Sequence, residues 1–242
     1  APTTTTVAPT TTTVAPTTTT VAPTTTAAAC WSCAYEEATT TSTQENTTTV
    51  ISDETGNVDS NDVSGTWSVD TTIGEFGIDE ASGTFVGFRV KEVLGQGIGS
   101  ATAVGRTPLV SGIVEIDGTT LIAAEIVADL TGLRTDRSMR DSRVQDALNT
   151  GAHPEATFVL AGPVDLGEGR QVQVPAPGSL TINGVTNGVT VGLAAELVGR
   201  ILAVVGTTDV VFADYDVEAP TAPVVVSVED HGIVEIQLFL LR

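Results

Sequence analysis

The sequence predicts an all-β protein, an antiparallel sheet closed into a barrel or folded into a sandwich, with one short inserted helix and an extended Thr/Pro-rich segment in front. Three observations point there. From Gly65 onward apolar and polar residues alternate with period two in stretch after stretch, the mark of strands that bury one face. One segment, Asp136 to Leu148, breaks that period. Before residue 65 the composition shifts to Thr, Pro and acids, with too little apolar surface to offset the entropy of ordering the backbone.

Residues 1–64 therefore form one region and residues 65–242 the folded domain. Residues 1–29 are three copies of APTTTTV and a fading fourth, which reads as an extended stalk whose hydroxyls are candidate O-glycosylation sites. A coiled coil is excluded, since Pro2, Pro9, Pro16 and Pro23 would each break a helix. An acidic linker follows. Its Asp53 to Val63 run only faintly resembles a calcium loop and lacks the glutamate at the twelfth position. Both cysteines lie in CWSC, Cys30 to Cys33, away from His153 and His231; a small local disulfide is the expected state, with intermolecular pairing or lipid modification as alternatives.

The chain carries a formal net charge of -20. Seven of its 30 acids precede residue 65 and all ten bases follow it, leaving 23 acids against ten bases, or -13, on the folded domain. Such a domain is repelled by phosphate backbones, which disfavours nucleic acid as a partner. A near absence of lysine argues likewise against electrostatic adhesion to anionic membrane, and no apolar run reaches the ~18–20 residues of a spanning helix. A Thr/Pro stalk makes sense mainly outside the cytoplasm, so we expect an extracytoplasmic protein numbered from after a removed signal peptide or trimmed anchor. A gene whose first codon lies at Ala1 would contradict that.

Within the domain, Trp67 and Val69 mark the first strand. Val86, Phe88 and Val90 share a face in TFVGFRVK; Val110, Val114 and Ile116 in VSGIVEID; Ile122, Ile126 and Leu130 in TLIAAEIVADLT. Similar alternation continues with Phe158 and Leu160, Leu180 and Ile182, and Val189 through Leu193 to Leu197. It ends with Leu202, Val204, Val210 and Phe212, then Val234, Ile236, Leu238 and Leu240. That makes about nine strands separated by Gly, Asn, Asp and Pro turns. A polar face on every strand requires the apolar faces to meet one another.

In and just before the helical segment stand four of the ten bases, Arg134, Arg137, Arg140 and Arg143, three residues apart. Thr135 is a candidate N-cap, as is Ser138 with Asp141 three residues on, and Gly151 and Pro154 end the helix and turn the chain. Asp136 and Arg140, and Asp146 and Arg143, stand at helical pair spacings. The stripe reads either as a solvated face answering an acidic sheet exterior or as guanidinium groups at a barrel mouth that grip an anionic head group.

Thr135, Arg140-Asp141, His153-Pro154-Glu155-Ala156-Thr157-Phe158 and Leu180-Thr181-Ile182-Asn183-Gly184-Val185-Thr186 together resemble the YceI-like family. TWSVDTTIGEF and VEDHGIVEIQLFL fit that family's first and last strands, so the resemblance spans residues 65 to 242. It implies a lipocalin-like barrel that binds lipid, isoprenoid-like in class. Arg140, Asp141 and Pro154 fall on its structural motif, whereas Arg134, Arg137 and Arg143 do not and are the freer candidates for head-group contact. His153 stands where the family usually has tyrosine, and Leu94 to Pro108 reads as a long Gly-rich loop between early strands.

The candidate ligand-binding interior comprises Val86, Phe88, Val114, Ile116, Ile126, Leu130, Phe158, Leu160, Leu180, Ile182, Leu193, Val204, Phe212, Ile236 and Leu238, all apolar. Ala124, Ala128, Ala195 and Gly206 are small enough to leave room for a cavity. There is no G-x-S-x-G elbow, HExxH pair, Walker loop or cysteine in the domain, and His153 and His231 read as turn residues. The expected function is non-enzymatic carriage of an amphiphilic lipid, with no cofactor or metal; the alternative is a surface or structural module whose barrel is filled by its own side chains.

Overall fold

The predicted alternation is realised as a closed antiparallel barrel. The computed structural model describes residues 62–95, 98–220 and 225–242. The Thr/Pro repeats, Cys30, Cys33 and the acidic run as far as Asn61 lie outside them. The described strands are β1 (Gly65–Asp70), β2 (Phe85–Leu94), β3 (Gly99–Thr107), β4 (Val110–Asp117), β5 (Thr120–Asp129), β6 (Arg134–Thr135) and β7 (Glu155–Leu160). β8 (Val164–Asp165), β9 (Gln171–Ile182), β10 (Val185–Val198), β11 (Ile201–Val211), β12 (Val225–Val228) and β13 (His231–Leu241) complete them, and the α-helix α1 spans Ser138–Ala147.

Eight strands make the circuit, in the order β1, β4, β5, β7, β9, β10, β11 and β13, which closes where Val69 of β1 pairs with Leu240 of β13. Two staves are broken. β2 prolongs β1 along β13, and β3, which pairs with β2, prolongs β4 after a two-residue break. Between β1 and β2, residues 71–84 leave the wall and strap its outer face. There Gln237 Nε2 donates to the carbonyls of Ala81 and Gly83, and Arg106 Nη1 donates to that of Ile78. One end of the barrel holds Gly65, Arg242 and the β4–β5 and β10–β11 turns; the other holds α1, the β2–β3 turn and the β9–β10 turn.

Three sequence expectations are corrected. Residues 99–107, expected within a Gly-rich loop, form β3 and pair with β2 along their whole length; Ala and Gly hide the strand from a reading that seeks large apolar residues. Gln171 to Pro177, not anticipated as strand, is the first half of β9. Its Pro175 and Pro177 lie beyond the stretch where β9 pairs with β7, so no partner on that side asks them for an amide. Ile122, expected to share a face with Ile126, is instead 42% exposed. A register shift at Glu115/Ile116 opposite β5 puts one extra residue in β5, which turns Leu121 inward and Ile122 out.

Turn chemistry pins the long hairpin of β9 and β10. Asn183 and Gly184 both have positive φ, 51° and 75°, as a two-residue type I′ turn requires. Packing at the terminal end centres on Trp67, which is fully buried, donates from Nε1 to the Val63 carbonyl and is covered by the Arg242 guanidinium 4.6 Å from its ring. At the helix end a second cluster gathers around Leu180, Val210 and Tyr215.

Candidate ligand cavity

The inward faces of the staves do not meet. They enclose a cavity of about 1110 Å³, room for roughly 35–40 water volumes of about 30 Å³ each. All the interior candidates except Leu160 line it, as do Ala124, Ala128, Ala195 and Gly206. Leu160 packs instead against the core cluster around Trp67. Lining residues missed in the sequence include Val172 and Val174 of β9, hidden with the strand itself.

Two glycines help keep the interior open. A Cβ on Gly105 or Gly178 would collide with the ring of Phe88 or Phe158, so each ring lies flat against a bare stretch of backbone rather than projecting across the lumen. Aromatic bulk is thereby stored in the wall.

The lining is not wholly apolar, contrary to the sequence expectation. At the helix end Glu92 of β2 faces in, 5% exposed, and its Oε1 accepts from Arg140 Nη2 at 2.6 Å. The same guanidinium donates from Nη1 to Asp136 Oδ1, also at 2.6 Å. Continuing the alternation of Val86, Phe88 and Val90 by one step would have found Glu92. A carboxylate there was unexpected because its partner stands 48 residues away.

Helix α1 is tied to the barrel differently from either predicted cap. Arg137 occupies the N-cap without a side-chain bond, and Thr135 instead binds the helix from β6. Its amide and hydroxyl donate to Asp141 Oδ1 at 2.8 and 2.6 Å, and its hydroxyl also reaches the Arg137 carbonyl. Gln145 Nε2 adds bonds to the carbonyls of Thr131 and Leu133, and Val144 is buried beneath. Arg140 and Asp141 thus hold the helix, one toward β2 and the other toward β6.

The arginines separate by role. Arg137, Arg140 and Arg143 border the cavity and Arg134 does not; Arg134 is exposed on β6 and donates to the Leu133 carbonyl. Arg137 lies 3.9 Å from Asp136, which Arg140 already engages. The Asp146–Arg143 pair suggested by spacing does not form, and Arg143 makes no ion pair among the described residues. Arg143 is therefore the least compensated cation at this opening.

The other polar groups are peripheral. Burial, and secondarily the Asp214 carboxylate, pushes the Tyr215 phenol up; its ring borders the cavity while its hydroxyl has no partner among the described residues. Pro154 turns the chain into β7, and its carbonyl accepts from the Leu130 amide. The His153 ring packs against Gly184. His231 sits outside, 2.9 Å from Asp230 and 3.5 Å from Glu229. At the terminal end Asp62, Glu168 and Arg170 border the cavity.

A closed eight-stranded antiparallel barrel around an apolar cavity, with a helix and charged groups at one opening, defines a lipocalin-like barrel. The chain belongs to the YceI-like family, whose domain model matches residues 38–240. It is 30% identical over 150 residues to a UPF0312 protein of Shewanella sp. (strain MR-4), covering 57% of this chain and 76% of that one. Among solved structures it is similar in fold to a polyisoprenoid binding domain from Saccharophagus degradans implicated in plant cell wall breakdown. That match has a TM-score of 0.53 and 19% identity over 72% of this chain and 97% of that one. BcnA of Burkholderia cenocepacia matches at 0.49 and 21%, over 63% and 95%.

Proposed function

We propose that this protein binds a long apolar or amphiphilic molecule, isoprenoid-like in class, inside the barrel, and carries it outside the cytoplasm without chemical change. The observation that carries the reading is the apolar cavity of about 1110 Å³. Each methylene moved from water into it is worth ~0.8 kcal/mol, so a long chain needs few directional contacts to bind tightly. The isoprenoid class is supported by the polyisoprenoid binding domain of similar fold, and the location by the Thr/Pro composition of residues 1–29. Arg143, with Arg137, is placed to meet a polar head at the helix end. The same cavity supports this reading over the alternative of a barrel filled by its own side chains.

The test is native mass spectrometry of the chain purified from its own host, organic extraction of any bound species, and titration with an added polyprenol. Val204→Phe puts a ring into the lumen beside Leu238 of the neighbouring strand. Displacing roughly two methylenes' worth of contact should weaken uptake about tenfold or more, with the melting temperature little changed. Absence of polyprenol uptake by the unaltered protein, or equal uptake by the variant, would refute the proposal.

A further inference from the structure

We infer, building on the cavity's role proposed above, that its cargo ends in an uncharged hydroxyl and that Glu92 selects that head. Glu92 follows Val86, Phe88 and Val90 on the inward face of β2 and lines the cavity with them. It is 5% exposed. Its Oε1 accepts from Arg140 Nη2, while Oε2 accepts no hydrogen bond and meets no other cation among the described residues. Nor is Oε2 sealed in the wall like Asn183 Oδ1 and the Tyr215 hydroxyl, which have neither a partner nor contact with open space. A strong acceptor with room in front of it is thus left facing the lumen. A chain that fills the lumen displaces any water there and has to replace the bond it made, since a carboxylate oxygen left dry and unpaired is costly.

Charge narrows the choice of head. Arg140 is shared between Glu92 and Asp136, so one guanidinium answers two carboxylates and the trio is net negative. A phosphate or carboxylate head pressed against it meets like charge where water is scarce. The rim does not compensate, because Asp146, Asp209, Asp214, Asp216, Glu218, Glu229 and Asp230 at this end outnumber Arg134, Arg137, Arg143 and Lys91. An ammonium head fails for a different reason. It brings three donors and a charge to be desolvated, against a single free oxygen of Glu92. A hydroxyl brings one donor for that one acceptor, and its own oxygen is left to accept from a guanidinium or from water.

The experiment is a competitive titration of the full chain, read by native mass spectrometry, with isoprenoids of one chain length that differ only in the head: alcohol, methyl ether, monophosphate and primary amine. The alcohol should outcompete the ether, which accepts but cannot donate, and the monophosphate, each by about tenfold. Glu92→Gln keeps the size of the side chain but donates to an ether and no longer repels an anion, so both ratios should fall to within about threefold of one. Glu125→Gln, which alters an exposed carboxylate on β5, should leave both ratios as they are. Near-UV ellipticity checks that Glu92→Gln is folded, and the ratios of the unaltered protein decide the matter where it is not. Equal binding of alcohol and ether, tighter binding of the phosphate or the amine, or ratios that survive Glu92→Gln would overturn the inference and leave the cavity's role standing. Uptake of none of the four would refute that role, and the head-group preference with it.

Discussion

Arg140 answers two carboxylates, one on β2 and one just before α1, much as Glu235 of β13 answers the guanidinium groups of Arg89 and Arg106. Truncating Arg140 leaves Glu92, 5% exposed, as a buried charge without its partner. We expect Arg140→Ala to cost about 3 kcal/mol in urea unfolding. Replacing both partners by apolar residues, Glu92→Leu with Arg140→Met, should recover most of that loss, because the expense lies in the orphaned charge rather than in the missing bond. A loss confined to a few tenths in the single variant would mean that water already solvates Glu92. His231 makes a milder case. The hydrogen bond with Asp230, and then the charges of Glu229 and Asp230, raise it above its ordinary 6.5. The raised value means that its contribution is fully present below about pH 6.5 and is lost as pH climbs through the folded pKa. An NMR titration of the ring should show that upward shift, and Asp230→Asn should reverse most of it; a titration unmoved by that change would assign the shift elsewhere.

Among the elements, the β9–β10 hairpin shows how one residue serves two demands. Gly184 has φ of 75°, and a Cβ there would lie 2.6 Å from His153 Cε1. Gly184→Ala therefore strains the turn and pushes the ring that packs the return from α1 to β7. We expect a loss of ~1–2 kcal/mol, with faster amide exchange at the helix end of β9 and β10 and little change at the terminal end. Uniform loss of protection would show instead that the barrel opens as one unit. Helix α1 is the opposite kind of element. Thr135, Asp141, Gln145 and Arg140 all fasten it to neighbouring segments, so its position depends on side-chain bonds more than on its short stripe of apolar residues.

For the whole molecule, closure rests on a short seam. β13 pairs with β11 along one side, and along the other with β2 near the helix end and with β1 only at Phe239, Leu240 and Leu241. A chain ending at Gln237 would lose that seam together with buried Leu238 and Leu240, leaving two open sheet edges and an exposed lumen. It should elute as aggregate and lack near-UV ellipticity. A folded monomer would show that the other seven junctions suffice.

Legibility follows the same scales. Period-two alternation alone implied antiparallel sheet with one buried face, because the alternation of side chains across a strand is a local property. The break at Asp136 to Leu148 exposed the helix for the same reason, and every interior candidate named from the alternation except Leu160 lines the cavity. The hidden parts were those in which small or ring residues replace the usual signal, as in β3 and the first half of β9, and the shift that turned Ile122 outward, since a bulge is set by the partner strand. Whether the apolar faces touch or stand apart was decided only by the tertiary structure. Period fixes which way a side chain points, whereas strand number and closure fix how far apart opposite walls lie. The pairing of Glu92 with Arg140 was likewise settled by the fold, because closing the sheet brings together positions that are far apart along the chain.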